Sequence, residues 1–273
     1  MYCRLSMLTQ MLGSAMMRQE ARRRHESSMN GSLSYVVTAL VLFVSTLTRS
    51  TLGFGDALVA MPLLVLALGI QTAAPVVALV ATTIALVILW SHWRHVELQA
   101  LGHLLVASAL GIPVGLVLVK RLPEPILQGV LGVIIIVFSL YSLLEPQFVI
   151  RQHRPGLAYG FGFVAGVLGG AYNTIGPLVV MYGQLRRWPP TQFRATLQGF
   201  FFPAYLFIVI GHGVVGLLTP QVLALYGLSL PMVALAIVLG GKLHAAIPRA
   251  QFTRVVNIAL VLIGLMLCIR SLR

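Results

Sequence analysis

One acid and one base sit where a lipid-buried chain can least afford them. Asp56 is the only aspartate in the sequence, and it lies inside an apolar stretch with Arg49 seven residues before it. A carboxylate at bilayer depth costs about 2.5–3.5 kcal/mol on insertion scales, so it needs a partner or a purpose. Two chemistries are open: proton coupling through the carboxyl, or a static pair with Arg49 and with amides freed by the neighbouring turn. Arg49 itself either offers charge to an anion or snorkels to the interface.

Around this pair the chain reads STLGFGDALVAMPLL, and further on VLGGAYNTIGPLVV. Both are glycine-rich, end near a proline, and interrupt long apolar runs. Sliding the sequence on itself by the interval from Gly55 to Gly170 also superimposes Pro62 on Pro177 and Pro75 on Pro190, with no gap. A broken helix in corresponding places of two halves is the signature of a transporter's binding site. Glycine and proline free backbone N–H and C=O groups, which in lipid must face protein or a watery cavity. Amides at half-helix N-termini favour an anion there. Gly53, Gly55, Pro62, Gly169, Gly170, Gly176 and Pro177 are therefore the candidate substrate-binding elements, against a background of ordinary small-residue helix packing. Asn173, at the apex of the second break, offers an amide to substrate or caps the helix after it. Arg194 and Gln198 are spaced to share a helix face. Arg194 is the arginine favoured for anion contact, and a topology-setting charge is the ordinary alternative.

The elements that must hold these residues are set by composition. The chain has 273 residues, 58% hydrophobic and 9% charged, against about 25% charged in soluble domains. Its solvent must be lipid. Continuous apolar runs disfavour a β-barrel and give approximate spans at 33–51, 54–70, 74–93, 98–119, 125–144, 157–183, 195–214, 221–241 and 251–270. The first two together, and the sixth, are open to two crossings or one long broken helix. The expected fold is an all-α polytopic membrane protein with eight or nine transmembrane helices in two homologous halves. Repeat A covers about 33–145 and repeat B about 156–272, forming one transporter domain over 33–272. Residues 1–32 read as a disordered tail or as leader sequence ahead of a start at Met29, with no chemistry. Four crossings per half would keep the halves parallel and five would invert them.

The net charge of +13 reads as membrane topology, with no nucleic-acid partner. Basic residues cluster before the first span and in short connections, which places most of them on the cytoplasmic side. Cys3 and Cys268 form no metal or disulfide pattern. The chain has no GxSxG, HExxH or P-loop and only six acids, so no catalytic residues, metal site or cofactor is expected and the protein is not read as an enzyme. A cation or metal transporter using Asp56 with His92, His95 or His103 is the alternative to an anion carrier. The partners expected are a small anionic substrate and the bilayer; a homodimer is one assembly open to it.

At TLGFGDALVAMPLL and GVLGGAYNTIGPLVVMYGQLRRWPPTQFRATLQGFF the chain resembles the TauE/SafE family of sulfite-exporter-like permeases, over about Ser34 to Leu272. The resemblance implies a secondary transporter of the bacterial inner membrane. Its substrates would be small anions such as sulfite, sulfonates or related organosulfur compounds. The residues it carries over are the matching glycines and prolines and Asn173. Asp56 stands where the resemblance implies a small or apolar residue.

Overall fold

Two short helices bracketed by left-handed residues organise the chain. The computed structural model describes residues 34–51, 53–92, 97–144, 155–246 and 249–272, with the side chains at 91–92, 98–99, 155, 190–191, 194, 243–246 and 249–253 left undescribed. The tail over 1–32 and His95 fall outside the described residues. Of the two compact units, 1–37 contributes only its last four residues to the described chain. The second unit, 38–273, carries the rest of the described residues.

Ten helices are described, in two series of five. The first is α1 (Ser34–Thr51), α2 (Asp56–Leu68), α3 (Ile70–His92), α4 (Leu98–Arg121) and α5 (Glu124–Leu144). The second is α6 (Pro155–Tyr172), α7 (Gly176–Leu185), α8 (Pro190–Val214), α9 (Pro220–Ala246) and α10 (Arg249–Ser271). Seven of them are long and apolar enough to cross a membrane: α1, α3, α4, α5, α8, α9 and α10. The protein is an all-α polytopic membrane protein. The apolar stretch at 157–183, open to one broken helix or two, is two helices because the chain turns at 173–175.

The turns follow from local chemistry. Gly53 (φ 91°) and Gly55 (φ 98°) separate α1 from α2, and Gly69 (φ 78°) separates α2 from α3. Glycine takes these angles without a Cβ penalty. Asn173 (φ 54°) ends α6 and Arg187 (φ 50°) follows α7. Asparagine is one of the few side-chain-bearing residues that tolerates this region. Pro177 in the first turn of α7 and Pro190 at the start of α8 occupy positions where a missing N–H costs nothing.

Packing shows two kinds of helix pair. α4 and α6 run parallel in close contact: Gly111 and Gly115 face the α6 backbone at Phe163 and Val167, while Gly162, Gly166 and Gly170 face Leu104, Ser108 and Ile112. Glycines four residues apart on both helices let the backbones approach, as small residues do in lipid. α5 and α10 run antiparallel, with Gly129 facing Ser271, Gly132 facing Cys268 and Asn257 Nδ2 donating to Ser142 Oγ at 2.8 Å. The buried core lies among α3, α4, α6, α7 and α8. α10 is only 22% buried over its span, leaving an apolar face for lipid.

Candidate functional site at the two chain breaks

Among the described residues Arg49 is the largest fully buried side chain, at 0% exposure. It stands in the last turn of α1, where Gly53 N donates to its carbonyl at 2.6 Å and closes the helix. Its Nη1 donates to Asp56 Oδ2 at 2.7 Å and to the Ala81 carbonyl of α3 at 3.3 Å. Its Nη2 donates to Gln198 Oε1 of α8 at 2.8 Å. Gln198 Nε2 in turn donates to the Gly53 carbonyl at 2.7 Å, so one amide satisfies both the guanidinium and the broken backbone beside it. The guanidinium carbon lies 5.0 Å from the centre of the Phe201 ring and 5.6 Å from that of Tyr205, within cation–π range. Among the described residues the Arg49 Nε–H has no acceptor.

Asp56 opens α2 and is 5% exposed. Its carboxylate sits at the positive end of that helix and against Arg49, so one positive and one negative charge are buried together. Removing either alone would leave the other uncompensated, at about 3–5 kcal/mol.

The second break is tied to the same two helices. Asn173, 0% exposed, donates from Nδ2 to the Ala74 carbonyl of α3 at 2.7 Å and touches Met61 Sδ of α2 at 3.8 Å. Tyr205 of α8 donates to the Asn173 carbonyl at 3.0 Å. Asn173 Oδ1 has no partner among the described residues. Along α3 the first break is held at Ala81 and the second at Ala74; along α8 they are held at Gln198 and Tyr205. The order is reversed, so α3 and α8 run antiparallel. Seven residues at 1.5 Å each place the breaks about 10 Å apart.

The residues read from the sequence separate into two groups. Gly53, Gly55, Asp56, Arg49 and Asn173 are at the breaks, and all but Gly55 take part in this network. Gly176 and Pro177 are buried in the first turn of α7, and Pro62 is buried within α2. Gly169 and Gly170 lie inside α6, before the break. Gly170 faces the α4 backbone, and Gly169 leaves room for Ile175. Arg194 lies at the start of the second turn of α8 and its side chain is outside the described residues, as is that of His92. His103 stacks edge-on against Tyr159, with ring centroids 5.1 Å apart. Among the described residues no three His, Cys, Asp or Glu side chains form a metal-ligating group. Phe201 and Tyr205 were not singled out from the sequence. Their signal was present in the spacing of Gln198, Phe201 and Tyr205, which puts an amide and two rings on one helix face.

A planar guanidinium in a low-dielectric site with an unused N–H can take an oxyanion, through charge-assisted hydrogen bonds. The sequence model of the family described as sulfite exporter TauE/SafE matches residues 37–267. The chain belongs to the TauE/SafE family. The match begins in α1 and ends in α10, so it takes in both breaks and the whole Arg49 network. No curated protein matches the chain, and no solved structure does. As a TauE/SafE protein with these apolar helices, it is a multi-pass membrane permease.

Proposed function

We propose that this TauE/SafE protein is a secondary transporter of a small anion, sulfite or a related organosulfur compound, in the bacterial inner membrane. The observation that carries the reading is Arg49: a fully buried guanidinium, hydrogen-bonded to Asp56 and Gln198, with its Nε–H unused among the described residues. Substrate binds at this cation, between the breaks. The helix series support alternating access by two halves of opposite orientation, because α3 and α8 occupy the same place in each series and run antiparallel, as do α5 and α10. Inverted halves around a midplane site are a recurring transporter design.

The test is sulfite flux in proteoliposomes. Arg49→Gln is expected to bring flux to the protein-free background, but it also strands Asp56. The double variant Arg49→Gln with Asp56→Asn replaces the ion pair by a neutral amide pair of similar size and restores a folded protein, as measured by its thermal unfolding. It should remain without flux. A folded double variant that carries sulfite at the wild-type rate overturns the reading.

A further inference from the structure

Arg49 already holds an anion. Asp56 Oδ2 occupies Nη1 at 2.7 Å, and the pair is closed off from solvent by the α3 carbonyl at Ala81, by Gln198, and by the rings of Phe201 and Tyr205. Resting on the anion reading above, we propose that Asp56 is a tethered stand-in for the substrate and the proton carrier of the transport cycle. An incoming anion takes the guanidinium, and Asp56 leaves it.

The proton follows from charge balance. With Asp56 on Arg49 the site is neutral. A carboxylate displaced from the guanidinium would remain buried without a counter-charge, which the interior penalises heavily. Asp56 therefore accepts one proton, delivered by water on the side from which the anion enters, as the anion binds. The Asp56–Arg49 ion pair breaks, the Asp56 O–H bond forms, and the substrate–Arg49 pair forms. Release reverses all three. Each anion thus moves with one proton that belongs to Asp56, and the site carries one charge less per turnover than the anion alone would.

The surroundings leave this role to Asp56. Among the described residues the charged or titratable groups facing it are Arg49 on α1 and Tyr205 on α8. α3 contributes the Ala81 carbonyl beside Arg49. Phe54, in the same break, packs edge-on against Phe138 of α5. Gly53 and Gly55, both at positive φ, lie just before Asp56, so the backbone on that side can absorb the movement with no Cβ to clash.

The experiment compares the wild type with Asp56→Asn in proteoliposomes, using radiolabelled sulfite as the probe and a trapped pH dye to count protons. Protein-free vesicles set the leak. Wild-type sulfite entry should be accelerated by an inward proton gradient and accompanied by proton entry. Asp56→Asn should move one proton fewer per sulfite, lose its response to the pH gradient, and become more sensitive to a membrane potential clamped with potassium and valinomycin. Asp56→Asn that keeps the wild-type proton count overturns the proposal. Should that variant unfold, the wild type alone decides, since sulfite entry indifferent to the pH gradient also overturns it. Wild-type protein that moves no sulfite instead sinks the anion reading on which the proposal rests.

Discussion

Gln198 and Tyr205 stand seven residues apart on one face of α8, and each holds a different chain break. Gln198 binds Arg49 and the Gly53 carbonyl; Tyr205 binds the Asn173 carbonyl. α3 does the same from the other side through Ala81 and Ala74. The two breaks are therefore mounted on one antiparallel helix pair, and their separation is fixed by two helical turns.

Gln198 gives a controlled test of the electrostatics. Gln198→Ala and Gln198→Glu both deprive the Gly53 carbonyl of its donor, an orphaning that costs about 1–3 kcal/mol. Only the glutamate adds a second negative charge to Arg49. Opposed charges about 4 Å apart interact by about 4 kcal/mol at an effective dielectric of 20, so the added carboxylate competes strongly with any substrate anion. Sulfite flux per folded molecule should be at least about tenfold lower in Gln198→Glu than in Gln198→Ala, a gap of about 1.4 kcal/mol. Equal fluxes would remove the anion from this site.

Asn173 combines a side-chain bond with a left-handed backbone. Asn173→Gly and Asn173→Ala both lose the bond to the Ala74 carbonyl, but only alanine must then hold φ 54° with a Cβ. That conformation costs an ordinary residue about 1–2 kcal/mol. Thermal unfolding in detergent should find Asn173→Gly the more stable of the two, by about 1 kcal/mol. The reverse order would mean the break relaxes on substitution.

At the edge of the bundle, Arg186 lies 4.0 Å from Glu97, with each side chain about one-fifth exposed. A pair at this distance and exposure contributes less than about 1 kcal/mol. A double-mutant cycle with Arg186→Ala and Glu97→Ala, read by thermal unfolding, should return a coupling in that range. A larger value would make this contact between α7 and the start of α4 a tie that transport has to break.

The sequence carried the membrane class, most helix bounds and the first break, because apolar runs and glycine–proline punctuation are local signals. The Arg49–Asp56 pair was legible for the same reason: its members are seven residues apart. Gln198 was harder. Its spacing from Arg194 suggested a shared, charge-bearing face, whereas its partner is Arg49, 149 residues away, and no local spacing encodes that distance. The second break was legible too, with Asn173 at its apex, but Gly170 does not lie in it. Matching Gly55 to Gly170 suggested that both glycines release the backbone, yet α6 continues to Tyr172 and turns at Asn173. Glycine serves two physical ends, positive φ and close approach, and sequence similarity does not separate them.

Substitution does separate them. At Gly170 a Cβ would run into the Ile112 carbonyl and the Leu116 amide of α4, which are backbone and cannot swing aside. Gly170→Ala should cost about 1–3 kcal/mol by overpacking, and Gly170→Asn more, because the larger side chain must fit the same contact. At Gly55 the nearest atom to a Cβ is Thr48 Cγ2 at 3.8 Å, an ordinary contact, and the obstacle is φ +98°. Asparagine tolerates positive φ better than alanine does, so Gly55→Asn should be the more stable variant there. Thermal unfolding of the four proteins should thus show opposite orders at the two sites. Transport lost on substituting Gly170 then reports a displaced α4–α6 pair, whereas at Gly55 it reports the hinge beside Arg49 and Asp56.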